Sequence, residues 1–86
     1  MELMASRINF IDLYSFGNEL DASVIETLME DYDISCSVRT LNSPHDADEY
    51  FEKRIAVEED KVENARRIIN AALRNGVISK EGRFRV

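Results

Sequence analysis

The segment Ile34-Ser-Cys-Ser-Val-Arg-Thr40 has the most regular alternation of apolar and polar residues in this 86-residue chain. Ile34, Cys36 and Val38 fall on one side of an extended backbone, because successive side chains of a strand point to opposite faces. The serines and Arg39 fall on the other side. The pattern predicts a strand with one buried face and one polar face.

A second alternating segment follows at residues 50–57. Phe51, Ile55 and Val57 share its apolar side. Residues 41–49 separate the two segments and are rich in Asn, Ser, Pro and Asp, which favour turns and loops. We therefore predict a hairpin with a loop at residues 41–49.

A strand is also predicted before this hairpin, at residues 7–16, where β-branched and aromatic residues are frequent and Gly17 ends the run. Apolar residues occur on both of its sides, which is typical of a strand in the middle of a sheet. Ile11 and Leu13 define one side; Ile8, Phe10 and Tyr14 define the other.

Two helices complete the pattern. Asn18 is suited to cap a helix that runs to about residue 31, with a stripe of apolar residues at helical spacing. Asp60-Lys-Val-Glu63 resembles a capping box and predicts a second helix that ends at Asn75-Gly76. Residues 82–86 are either a short edge strand with Phe84 inward or a tail, and the strand is favoured.

The resulting order, βαββα with a final β, predicts an α+β ferredoxin-like fold: one antiparallel sheet with both helices on one face. The other face, which we call the open face, is then left uncovered. Its three aromatic residues and one isoleucine are more apolar surface than a monomer usually exposes, so we expect it to bind a partner. The predicted partner-binding residues are Ile8, Phe10, Tyr14, Arg39, Tyr50 and Arg54.

The charge of the chain is unevenly distributed. The net charge is −6, but residues 1–60 carry −11 and residues 61–86 carry +5. The overall acidity argues against nucleic acid as a partner, because phosphate neutralisation needs clustered Lys and Arg. The basic end either packs against the acidic part of the chain or faces an acidic partner.

Length and composition restrict the class of protein. Eighty-six residues suffice for one domain, which we place at residues 8–75, after a leader at 1–7 and before a basic extension at 76–86. A single cysteine excludes a disulfide framework and indicates a reducing compartment. No apolar run approaches the ~20 residues that span a membrane, so we expect a cytoplasmic protein without membrane contact.

Two residues suggest chemistry but have simpler interpretations. His45 stands among three carboxylates, yet it lacks the second His or Cys that a transition-metal site usually needs, so a solvated loop is favoured. Cys36 shares a side with Ile34 and Val38, which favours a core thiol over a nucleophile. Because no phosphate-binding loop or catalytic triad pattern is present either, we predict no enzyme, no cofactor and no metal.

The residues of the open face suggest two further functions, each with a simpler alternative. Arg39 and Arg54 either form a small anion site or pair across the strands with Glu52 or with an acidic residue of a partner, and pairing is favoured. The aromatic residues of this face are reminiscent of base-stacking sheets, but the third strand lacks their Gly-aromatic motif, and the net acidity opposes RNA.

Three segments resemble a known family. Leu13-Tyr-Ser-Phe-Gly-Asn-Glu-Leu-Asp-Ala22, Ile34-Ser-Cys-Ser-Val-Arg39, and Arg54-Ile-Ala-Val-Glu-Glu-Asp60 with Ala65-Arg66 are similar to the small prokaryotic "putative signal-transducing protein" family. The resemblance covers about residues 8–75. It implies a ferredoxin-like fold of the PII-like group and a non-enzymatic binding or regulatory role.

The chain departs from the family at Asp33, where a Gly is usual before the Ile, and in its acidic loop at residues 41–49. Asp tolerates the left-handed backbone conformation at some cost, so the turn is still expected.

We predict a regulatory or protein-interaction module that self-associates through the open face as a dimer, or docks another protein there. The alternative is a sensor that binds a small anionic metabolite.

Overall fold

The structure, a computed structural model, describes residues 9–42 and 51–86. The elements are β1 (Phe10–Phe16), α1 (Glu19–Asp31), β2 (Cys36–Asn42), β3 (Phe51–Glu58), a 3-10 turn (Glu59–Lys61), α2 (Val62–Arg74) and β4 (Arg83–Phe84). The predicted leader at residues 1–7, loop residues 43–49, and Ile8, His45 and Tyr50 lie outside the described residues.

The four strands form one sheet in the order β2-β3-β1-β4, and every neighbouring pair is antiparallel. Apolar residues of both helices join one core cluster with residues of the two central strands. The cluster includes Ile25 and Met29 of α1, Ile69 of α2, and Ile55 and Val57 of β3. The prediction of an α+β ferredoxin-like fold is confirmed.

Strand β1 contains a bulge that changes the face of one predicted site residue. Asp12 lies opposite Ala56 and Tyr14 lies opposite Ile55, so Leu13 is an extra residue in the ladder. Beyond the bulge the alternation is shifted by one position, and Tyr14 faces the helices at 2% exposure. The prediction that Tyr14 lies on the open face is therefore wrong.

Helix α1 begins as the sequence predicts. The Asn18 side chain accepts a hydrogen bond of 2.8 Å from the Asp21 backbone N–H. The helix ends in a turn in which Asp33 has a φ of 60°. The following Ile34 N–H donates to the Met29 carbonyl at 2.8 Å and its side chain is buried. Strand β2 starts only at Cys36, two residues later than predicted, and extends through residues 41 and 42, which were predicted as loop.

Helix α2 begins differently from the prediction. Lys61 is its N-cap residue, and no side chain caps the helix. The expected capping box at Asp60 is wrong because a 3-10 turn at Glu59–Lys61 connects β3 directly to the helix. The predicted end is confirmed: Asn75 is the C-cap, and Gly76 has a φ of 74°, a conformation that suits glycine.

The C-terminal segment is attached to the sheet. Phe84 of the two-residue strand β4 lies opposite Tyr14, as expected for an inward residue of an edge strand. The two rings meet edge to face with centroids 4.8 Å apart. At Gly82, a Cβ would overlap the carbonyl oxygen of Ser15, so this close approach of the two backbones requires glycine.

Both described helices have 13 residues, and neither is long and apolar enough to cross a bilayer.

Candidate functional site

The candidate site is the open face, which the pairing registers define. Residues that lie directly opposite one another share a face, so the registers give two rows across the sheet. One row comprises Arg39, Arg54, Ser15 and Arg83, one residue from each of the four strands. The adjacent row comprises Ser37, Ala56 and Asp12. Three arginines therefore lie in line across the sheet.

Asp12 links two of these arginines. Arg39 Nη2 lies 2.8 Å from Asp12 Oδ1 and 2.9 Å from Oδ2, and Arg54 Nη1 lies 3.5 Å from Oδ2. Arg39 belongs to β2 and Asp12 to β1, so the Arg39 side chain crosses the whole width of β3. The small side chain of Ala56 leaves room for this crossing. Asp12 thereby offsets the repulsion between two cations that stand side by side.

Glu52 is a second acidic partner of Arg54. Arg54 Nε and Nη2 donate to Glu52 Oε2 at 3.1 and 2.9 Å, and the Ser15 hydroxyl donates to the same oxygen. The Glu52 carboxylate is buried despite its charge, which requires such partners. The hydrogen bond to Glu52 raises the pKa of Arg54 above its already high ordinary value, so the guanidinium stays charged.

Two further arginines enter the open face from the C-terminal segment. Arg83 lies opposite Ser15, and the Arg85 backbone N–H donates to the Leu13 carbonyl at 2.7 Å. Both side chains are exposed, and neither forms an ion pair with any residue in the described ranges. The open face thus has both compensated and uncompensated arginines.

A shallow concavity lies on this face beside Arg85. Its lining includes Phe10, Asp12, Arg39, Arg54 and Ala56. Phe10 is 42% exposed and is the largest apolar side chain exposed on the described part of the open face. The arrangement combines an apolar contact with guanidinium groups, which is typical of protein-binding surfaces.

The structure brings together three of the six predicted site residues. Arg39 and Arg54 are neighbours on the open face, and Phe10 lines the same concavity. The favoured interpretation, cross-strand pairing with Glu52, holds only for the identity of the partner: Glu52 binds Arg54, but both residues belong to β3. The cross-strand partner of both arginines is Asp12 of β1. Tyr14 lies in the core, and Ile8 and Tyr50 are outside the described residues.

Four residues of the site were not predicted: Asp12, Ser15, Arg83 and Arg85. Alternate residues of a strand share a face, so the position of Phe10 also places Asp12 on the open face; both residues precede the bulge. The same alternation places the Arg83 and Arg85 side chains on the open face, because Phe84 between them points inward. Only Ser15 requires knowledge of the bulge.

Cys36 is half-buried against the core, in agreement with the predicted orientation. Burial raises the pKa of the thiol, and the nearby carboxylates of Glu26 and Glu30 raise it further. The thiol is therefore protonated at neutral pH, which makes it a poor nucleophile. Among the described residues, no three His, Cys, Asp or Glu side chains form a group that could hold a metal ion.

A two-layer α+β fold with a charged open sheet face defines a class of fold rather than a particular protein. Comparison with known families is more specific. The model of the family described as "Putative prokaryotic signal transducing protein" matches residues 10–72, and the chain belongs to this family. No curated protein and no solved structure matches the chain significantly.

Proposed function

We propose that the chain is a non-enzymatic signalling module that binds a protein partner through its open face. Membership of a family named for signal transduction supports an interaction role. The observation that carries the proposal is the position of the exposed Phe10 ring beside Arg39 and Arg85 in one concavity. Phenylalanine and arginine are both enriched at protein interfaces, and arginine is also frequent among the residues that dominate binding.

The ion pairs of the open face support this role. Asp12 holds Arg39 and Arg54, and Glu52 holds Arg54 a second time. Side chains that are already ordered lose less conformational entropy when a partner binds. The surface is therefore prepared for docking without a large ordering cost.

A different protein fits this face better than a second copy. In a two-fold dimer the same patch lies on both sides of the interface. Such a dimer would bring the uncompensated Arg83 and Arg85 of two copies towards each other. The burial of Tyr14 also removes apolar area from the predicted dimer interface. Self-association through the same surface, which the sequence predicts, is the alternative.

The sensor interpretation has less support. It requires Arg39 and Arg54 to receive a small anion, but both guanidinium groups already bind carboxylates. A metabolite would have to displace Asp12 or Glu52, or use the remaining donors only.

Site-specific photo-crosslinking tests the proposal. A photoreactive phenylalanine analogue replaces Phe10 in one variant and Leu20, which is 73% exposed on helix α1, in a control variant. We expect a defined protein adduct from position 10 and none from position 20 after irradiation in the native cells. An adduct of twice the chain mass identifies self-association. Equal adducts from both positions, or none from position 10, would contradict the proposal.

A further inference from the structure

We propose that the segment of the partner that the open face binds is acidic, and that Arg83 and Arg85 bind its carboxylates. The inference rests on the proposed function and extends it, because it specifies the chemistry of the partner. It also assigns the binding to the C-terminal segment, which lies beyond the part of the chain that the family model matches.

The first argument is charge complementarity. The chain carries 17 acidic and 11 basic residues, so a surface arginine has many potential partners. Nevertheless, Arg83 and Arg85 form no ion pair with any described residue. Of the neighbouring acids, Asp12 binds Arg39 and Arg54, Glu52 binds Arg54 and Ser15, and Glu81 is not within ion-pair distance of either arginine, although it lines a concavity with both. The cationic surface that remains is complementary to external carboxylates.

The second argument is the position of the two arginines. Arg83 ends the row that begins with Arg39, and Arg85 lines the concavity together with Phe10. A guanidinium group binds a carboxylate through two parallel hydrogen bonds, which gives directional recognition. A ligand with carboxylates beside an apolar side chain would contact both the arginines and Phe10. We therefore expect an acidic segment with an apolar residue among its carboxylates.

The third argument separates an acidic peptide from a nucleic acid. The open face also contains the carboxylates of Asp12 and Glu52, and the chain as a whole carries −6. A nucleic acid extends its charge well beyond a patch of this size and would meet the rest of the chain, whose acidic residues outnumber its basic ones. A short peptide confines its charge to the arginines. The observations therefore favour the peptide.

The test is an NMR titration with two defined probes. The first probe is a blocked nonapeptide of alternating Glu and Val, and the second is the same peptide with Gln in place of Glu. We expect the Glu peptide to shift the backbone amide signals of Phe10, Arg39 and Arg85. Raising the salt concentration tenfold should weaken its binding strongly, because the contact is electrostatic and exposed. The Gln peptide should bind at least about fivefold more weakly.

A matched pair of variants assigns the effect to the two arginines. Arg83→Ala combined with Arg85→Ala should weaken binding of the Glu peptide about fivefold. Arg67→Ala combined with Arg74→Ala removes the same charge from the exposed surface of α2 and should leave binding unchanged. Circular dichroism spectra of both double variants should match that of the original protein, because all four side chains are peripheral to the core.

The outcomes distinguish the inference from the proposed function. Equal binding of the Glu and Gln peptides at the open face would overturn the inference and leave the proposed function standing. Shifts confined to residues outside the open face would overturn both. No shift with the Glu peptide, or tighter binding of tripolyphosphate or single-stranded DNA at the same arginines, would overturn the acidic-peptide inference.

Discussion

Arg39 of β2 reaches across the full width of β3 to bind Asp12 of β1, with Nη2 at 2.8 and 2.9 Å from the two carboxylate oxygens. The crossing depends on Ala56, which lies between them in the sheet. The pair fixes the position of a guanidinium group on a surface where long side chains are normally mobile. This ion pair makes the open face an organised surface rather than a collection of separate charges.

Asp12→Asn should separate the roles of the ion pairs in stability and in binding. The free energy of unfolding should fall by at most about 1 kcal/mol, because the Arg39 side chain is largely exposed to solvent. The acidic nonapeptide should bind about two- to threefold more tightly, because the removal of a carboxylate that competes for two guanidinium groups outweighs the lost ordering of Arg39. Urea denaturation and the NMR titration measure the two effects.

The control for this variant is Asp60→Asn, which removes an exposed carboxylate that has no ion pair with any described residue. It should change neither quantity. Weaker peptide binding by Asp12→Asn would show that the ordering of Arg39 matters more than its free charge, contrary to the expectation.

Phe84→Ala should release the C-terminal segment from the core. The Phe84 ring packs edge to face against Tyr14, and the Arg66 guanidinium lies 5.5 Å from its centroid. Loss of a half-buried aromatic ring should lower the free energy of unfolding by about 2 kcal/mol. Urea denaturation measures the loss, and Val77→Ala, at a 51% exposed position, serves as the control.

The same variant should change the ionisation of Tyr14. Burial raises the pKa of the Tyr14 phenol, and the Asp21 carboxylate raises it further. When Phe84 no longer covers the ring, the pKa should fall towards the ordinary value of about 10. An NMR titration of the Tyr14 ring carbon reports the change. An unaltered titration would mean that Phe84 does not contribute to the burial.

Cys36 should react slowly with alkylating reagents and over an unusually high pH range. Because its pKa is raised, the folded protein contains less thiolate at any given pH than the unfolded chain does. The pH at which iodoacetamide reacts at half its maximal rate should therefore be higher for the folded protein than for the protein in urea. As Cys36 is the only cysteine, the assignment is unambiguous.

Glu26→Gln combined with Glu30→Gln should lower this midpoint, since both carboxylates disfavour the thiolate. The midpoint is a better measure than the rate, because it does not depend on the accessibility of the thiol. A folded protein that titrates at lower pH than the unfolded chain would contradict the assignment of Cys36 as a core thiol.

Asp33 should tolerate glycine but not a β-branched residue. Its φ of 60° is in the left-handed region, which costs most residues about 1–2 kcal/mol. Asp33→Val should therefore lower the free energy of unfolding by at least that amount, measured in urea. Asp33→Gly should be within about 1 kcal/mol of the original protein, because relief of the backbone strain is offset by the greater freedom of the unfolded chain. A stable Asp33→Val protein would contradict this account of the turn.

The parts of the fold that local sequence determines were predictable. The alternation around Val38 and the cap at Asn18 depend on residues close in the chain, and both correspond to observed elements. The position of Tyr14 was not predictable in this way. The bulge at Leu13 arises from the pairing of β1 with β3, and a single extra residue moves every later side chain to the opposite face.

The candidate site was predictable to a similar extent. Arg39 and Arg54 follow from the alternation of their own strands. The start of α2 differs from the capping pattern at Asp60 because a 3-10 turn occupies Glu59–Lys61. Arg83 and Arg85 became part of the site only when strand β4 was placed beside β1, which is a contact between distant parts of the chain.

The crosslinking yield at position 10 in charge-reversed proteins tests the central claim most directly. With the photoreactive group at Phe10, Arg83→Glu combined with Arg85→Glu should abolish the partner adduct, because the open face becomes repulsive to an acidic segment. Arg67→Glu combined with Arg74→Glu carries the same net charge and should retain the adduct. Equal yields from the two double variants would contradict the claim that the open face, through these arginines, is the surface that binds the partner.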